Sequence, residues 1–122
     1  MKRIFIVSPY GGVKDNQELA AQFCRAVLDA HLAVGEKVAI YAPHLIYPWF
    51  LSDRSRVERK LAMAMARSFM EVCDEVYVLE LLTGIPAHHN TILTPGMIED
   101  IEYAKKLGKR VVTFHSVDDV EV

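Results

Sequence analysis

The chain has 122 residues, 52% hydrophobic and 25% charged, with a formal net charge of −2. That is the size of one domain with a real core, so a single domain over 1–122 is expected. The charge gives no electrostatic case for a nucleic-acid polymer as partner, and the apolar runs are strand-sized, too short to span a membrane. Met1-Lys2-Arg3 and the short run after it are too brief for a signal peptide, so a cytoplasmic protein is expected. Ile4-Phe5-Ile6-Val7 is a continuous apolar run, the pattern of a strand buried on both faces. It leads into the turn-forming loop Ser8-Pro9-Tyr10-Gly11-Gly12. A helix should follow from about Asp15, with Asp15 and Glu18 at capping-box spacing and Leu19, Phe23, Val27, Ala30 and Val34 on one stripe. Gly35 should end it.

Lys37-Val38-Ala39-Ile40-Tyr41 reads as the second strand, followed by a loop rich in proline and aromatics from Ala42 to Phe50. A helix is expected from about Asp53 or Ser55 to Val72, with Ser55 and Glu58 as its capping box. It has two apolar faces: Leu61, Met65, Ser68, Phe69 and Val72 on one, and Met63, Ala66 and Met70 roughly opposite. One face would meet the sheet. The other either meets a second subunit or is simply tolerated at the surface. Cys73-Asp74 opens a third strand, Glu75-Val76-Tyr77-Val78-Leu79. Cys24 and Cys73 are expected to be buried thiols, neither a disulfide nor a metal site. A long connection from about Glu80 to Leu93 carries Gly84, Pro86, His88, His89 and Asn90; such a length inside a small domain points to a functional loop or a mobile one. His88 and His89 are adjacent, a poor geometry for a shared metal. The last helix starts at Thr94 and stops at Gly108, and Arg110-Val111-Val112-Thr113-Phe114 is the last strand. The acidic tail would add a short edge strand or fray.

Alternating strands and helices predict an α/β fold: a three-layer, doubly wound, mostly parallel sheet of four to five strands, Rossmann-like or flavodoxin-like, with helices on both faces. Such sheets bind ligands outside the carboxyl ends of their strands. Three segments should meet there: the Ser8 to Gly12 loop, the Pro43 to Phe50 loop, and the lead into Thr94.

The stretch from Thr94 is the most informative. Thr94 suits the N-cap, and Pro95 suits the first helical position. At about 100° per residue, Met97, Ile101, Ala104 and Leu107 form one apolar arc, and Asp100 falls inside it. Glu99 and Glu102 fall on the opposite side. An inward carboxylate is costly unless it is paired or has a task. The helix dipole alone would favour Asp100, but it would favour Glu99 equally. Gly11 and Gly12 let backbone amides approach an anion, and Thr94 with the amides after it, Gly96 among them, offers a second anion site. The glycine spacing fits neither the dinucleotide fingerprint nor the P-loop. Two anion-friendly loops beside a carboxylate, a tyrosine and a histidine fit a phosphorylated ligand and work at an anomeric carbon. His44 is either a hydrogen-bonded structural histidine or a base-contacting one. Tyr47, Trp49 and Phe50 either pack or form a wall for a nucleobase.

Ser-x-x-Gly-Gly after the first strand, the Cys-Asp-Glu-Val-Tyr-Val strand, Pro-Gly-Met-x-x-acid-Ile-x-Tyr-Ala and Gly-Lys-x-Val together resemble the nucleoside 2-deoxyribosyltransferase superfamily, in its small, poorly characterised bacterial and phage branch. The resemblance implies cleavage or exchange of the N-glycosidic bond of a nucleoside or nucleoside 5′-monophosphate, with no cofactor and no metal. It places the acidic nucleophile on Asp100, as an aspartate in place of the family's glutamate. It places a phosphate contact on Thr94, and the phosphate-side loop on Ser8, Tyr10, Gly11 and Gly12, with Tyr10 helping to position the sugar or the acid. His44 falls near a base-side position, Asp74 matches the aspartate opening the third strand and is expected to bind the substrate, and the family's second helix-borne acid has no clear counterpart, Glu58 being the candidate. The resemblance also implies a homodimer or larger assembly, and the methionine face, Met63, Ala66 and Met70, is the one that fits such a contact. The alternative is a module that binds a nucleotide without cleaving it.

Overall fold

The computed structural model describes residues 1–9, 14–82 and 91–122. Four parallel strands form the central sheet: β1 (Lys2–Val7), β2 (Val38–Tyr41), β3 (Glu75–Leu79) and β6 (Arg110–Phe114), in the order β2-β1-β3-β6. Helix α1 (Lys14–Ala33) leads from β1 to β2, and α3 (Arg56–Val72) leads from the β2 side to β3. Two further short strands, β4 (Leu81–Leu82) and β5 (Thr91–Ile92), pair antiparallel, and α4 (Pro95–Lys106) precedes β6. The α/β architecture is the one the sequence pattern predicts. The chain reverses direction across the sheet between β1 and β3, which are neighbours paired from Ile4↔Glu75 to Val7↔Val78.

Strand alternation divides the core in two. Ile4, Ile6, Tyr77 and Leu79 face α1 and pack on Phe23 and Val27. Phe5, Val7, Val76 and Val78 face the other way, onto Met70 of α3 and Met97 and Ala104 of α4. Both faces of β1 and β3 are therefore covered, which explains their unbroken apolar runs.

The helix ends follow local chemistry. Ser55 caps α3 by accepting the Glu58 amide at 3.2 Å, as the spacing predicts. Gly35 and Gly108 follow α1 and α4 with φ of +76° and +73°, a conformation other residues adopt at a cost. Because α1 ends at Ala33, Val34 leaves the predicted stripe and is 61% exposed. His31 takes the last buried place instead. Its Nδ1–H donates to the Val27 carbonyl at 2.8 Å, and its Nε2 meets the Tyr77 hydroxyl at 3.3 Å. The Ala42 to Phe50 segment is not an open loop: α2 (Pro43–Ile46) and a 3₁₀ turn, Tyr47–Trp49, fill it. The tail carries another 3₁₀ turn, Val117–Asp119, in place of an edge strand. On α3, Ala66 and Met70 pack on the sheet, which corrects the expectation that the methionine face meets a second subunit; Leu61, Phe69 and Val72 stay exposed, and Phe69 stacks on Tyr41 at 4.3 Å between centroids. Cys24 and Cys73 are free thiols. Among the described residues, no helix is long and apolar enough to cross a membrane.

The amino ends of the strands are tied by charge. Glu75 is buried, with Lys2 Nζ at 2.7 Å from one oxygen and Arg110 Nη1 donating to the other at 2.6 Å. Burial pushes its carboxyl up, but Lys2 and Arg110 outweigh it and hold the pKa below the ordinary 4.5. The stabilisation is present above that ordinary value and is lost as pH falls through the lower folded value. Glu75→Gln is expected to cost about 1–3 kcal/mol at pH 7. Denaturant unfolding should show the gap from wild type closing in strong acid.

Candidate functional site

A cavity of about 410 Å³ opens at the carboxyl ends of the strands. Three segments build its walls: Pro43 to Asp53, the first three turns of α3, and Thr94 to Asp100. Such a volume is in the range of small-molecule sites, and the place is the one that doubly wound sheets use. Small side chains, Ala62, Ala66 and Gly96, leave the room between α3 and α4.

Asp100 lines this cavity from α4. Met97 and Ala104 on the same arc are fully buried against the sheet, so the helix cannot rotate Asp100 into water. Burial drives its carboxyl from the ordinary 3.8 up to about 6; the Arg67 charge pulls it back, and Glu99 adds to the rise. At neutral pH the group is still largely ionised, in a place that disfavours its charge.

Thr94 caps α4: its Oγ1 accepts the Met97 amide at 3.2 Å, and its hydroxyl hydrogen stays available to donate. Pro95 has no amide, and Ile98 N–H is bonded to the Thr94 carbonyl at 3.0 Å. In the first turn that leaves the Gly96 N–H without an intrahelical partner. A Cβ built on Gly96 would meet only Thr94 Oγ1, at 4.0 Å, so the backbone here is open to a ligand. Thr94 hydroxyl and Gly96 amide thus form a small donor set on the cavity wall.

His44 faces the cavity from α2 and hydrogen-bonds the Ser8 backbone. Burial drives its pKa down to about 4, against that bond, so the ring is neutral at pH 7 and does not act as a cationic acid. Tyr47 lines the same cavity and is buried, with its hydroxyl bonded to that of Tyr41 and its ring edge-on to Phe50. Trp49 does not pack; it is 88% exposed, next to the lining residue Pro48.

The structure thus brings Asp100, Thr94, Gly96, His44 and Glu58 around one cavity. Ser8 is buried at the end of β1, and its backbone hydrogen-bonds His44. Tyr10, Gly11 and Gly12 lie outside the described residues, as do His88 and His89. Asp74 is a correction. Its Oδ2 accepts the Arg3 amide at 2.8 Å, and its own amide donates to the Arg3 carbonyl at 2.8 Å. It sits at the amino ends of β1 and β3, the far edge from the cavity, and clamps two strand starts together. Sequence reasoning missed Ser52, Asp53, Arg59 and Ala62. The signal was present on α3, where Arg59, Ala62, Met63 and Ala66 continue one face toward its N-terminus.

Between the ordinary 3.8 and about 6, the native state holds a proton on Asp100 that the unfolded chain has released. Stability therefore falls as pH rises through that window. Asp100→Asn should stabilise the protein at pH 7 by up to about 3 kcal/mol, with the gain vanishing near pH 4 in thermal unfolding. Thr94→Ala should cost about 1 kcal/mol in urea unfolding through loss of the cap, and Thr94→Ser should keep it.

The fold resembles that of a solved 2-deoxyribosyltransferase from the psychrotolerant bacterium Bacillus psychrosaccharolyticus, with a TM-score of 0.66 and 13% identity, over 93% of this chain and 72% of that one. At this identity the likeness is one of fold. No curated protein matches the sequence. Residues 2–114 match the family described as Domain of unknown function (DUF7768), and the chain belongs to that family.

Proposed function

We propose that the protein cleaves or transfers the N-glycosidic bond of a nucleoside or nucleoside 5′-monophosphate. The observation that carries this is the desolvated Asp100 carboxylate in a ligand-sized cavity, about one helical turn from the Gly96 amide and less than two from the Thr94 hydroxyl. The likeness of fold to a 2-deoxyribosyltransferase supports the same chemistry.

Asp100 attacks the anomeric carbon or stabilises its positive charge as the bond to the base nitrogen breaks. The bond's electron pair leaves with the base, which takes a proton from water. Water or an acceptor base then releases the sugar and frees the carboxylate. Thr94, Gly96 and Arg59 offer donors to a phosphate, and Asp53 and Glu58 offer acceptors to hydroxyls. Neutral His44 orients the ligand on the base side. The family resemblance gives Ser8, Tyr10, Gly11 and Gly12 the phosphate, with Tyr10 helping to position the sugar or the acid. The protein acts as a homo-oligomer, with the exposed Leu61, Phe69 and Val72 face of α3 available for contact.

A second reading, capture of the nucleotide without cleavage, is favoured by one feature: aspartate reaches one methylene less far than glutamate. Incubation with a panel of nucleosides and nucleotides, followed by chromatography, separates the two. Free base should appear for at least one member. Asp100→Ala should cut release by about a hundredfold or more while preserving the fold. Thermal stabilisation by a ligand recovered intact, with cleavage gained in Asp100→Glu, would establish the binding module instead.

A further inference from the structure

Over Tyr103, one turn along α4 from Asp100, lies an arginine that no ion pair among the described residues explains. Arg67 is half-buried on α3, and its buried Nε has no hydrogen-bond partner among the described residues. Among the described residues, no carboxylate lies within 4.0 Å of its guanidinium. The guanidinium instead lies over the ring of Tyr103, at 5.0 Å from the centroid. Tyr103 is in turn fixed: its hydroxyl donates to Glu71 Oε1 at 2.7 Å, and Lys109 Nζ donates to the Glu71 carbonyl at 2.9 Å. Arg67 and Glu71 are one turn apart on α3, and Asp100 and Tyr103 are one turn apart on α4. The two helices therefore grip one cation between them.

A cation in this setting has two courses. It can close on Asp100 as a fork, which would hold both oxygens and spend that charge on a salt bridge. Or it can be kept at a distance, where its field still favours an ionised Asp100 but the oxygens remain free to react. The face of Tyr103 is attractive to a guanidinium and keeps it in the second course.

We propose that Arg67 is a positioning residue of the site: a counter-charge that the Tyr103 ring holds apart from Asp100 so that the carboxylate is ionised yet unpaired. This rests on Asp100 being the reacting group. The other charges facing Asp100 are Glu99 on its own helix, Glu58 and Arg59 on α3, and Asp53 beyond α2, with neutral His44 opposite. Arg59 and Asp53 are exposed, so solvent screens them and leaves Arg67 as the less screened cation.

The test is a carbon-13 titration of the aspartate carboxyls, with Asp100→Asn assigning the Asp100 signal. The wild-type midpoint should lie at about 6. In Arg67→Gln it should rise by about 0.5–1, and in Arg67→Lys most of the rise should be absent. Tyr103→Leu should move it the opposite way, because the freed guanidinium closes on Asp100. The acid limb of kcat/KM for base release should follow the midpoint in Arg67→Gln, while Tyr103→Leu should lose kcat. An unmoved midpoint in Arg67→Gln with a native amide spectrum overturns the proposal. If that variant does not fold, an unmoved or raised midpoint in Tyr103→Leu overturns it. Midpoints that move as expected in a protein that releases no base uphold Arg67 as the counter-charge and reject the glycosidic reaction.

Discussion

The constraint on which the site depends is the seating of α4. Met97 and Ala104 are fully buried against the sheet, with Ile101 packed beside them, and Thr94 and Pro95 fix where the helix begins. A helix pinned along that arc has no freedom to turn Asp100 outward. The carboxylate is desolvated because hydrophobic burial on either side of it outweighs the cost of its charge. The cavity then follows from small neighbours: with Ala62 and Ala66 on the facing helix, the space beside Asp100 is not filled.

The two ends of the sheet show opposite electrostatic arrangements. At the amino edge, charges are matched: Glu75 sits between Lys2 and Arg110, and Asp74 binds the Arg3 backbone. Toward the carboxyl edge Asp100 is pushed toward protonation, and farther along α3 Arg67 has no carboxylate within 4.0 Å among the described residues. A folded chain tolerates such unsatisfied groups where they have a task, and the stability they cost is made up elsewhere in the core.

Much of this was legible in the sequence. Continuous apolar strands, their alternation with helices, and the caps at Ser55 and Thr94 are local signals, and local signals survive folding. The inward position of Asp100 was legible because it needs only helical periodicity. What failed needed either a boundary or a direction. Val34 was assigned to a buried stripe because periodicity does not say where a helix stops; Gly35 had that information, one residue later. Asp74 was assigned to the ligand because motif matching places a residue along the chain, not at one end of a strand or the other. Arg67 and Arg59 lay unmarked, since a lysine or arginine on a helix is ordinarily a solvated side chain, and only the packing of α3 on α4 distinguishes these two.

Trp49 is the chain's one tryptophan, and it projects from the lip of the cavity beside Pro48. Intrinsic fluorescence excited at the indole therefore reports a single place, the mouth of the site, and is blind to the core. A ligand that reaches the Pro48 edge of the cavity is expected to change the quenching of that emission with no added label. The same hydration makes it a poor gauge of global melting: an indole already surrounded by water has little further red shift to undergo, and unfolding is better followed through the backbone by circular dichroism.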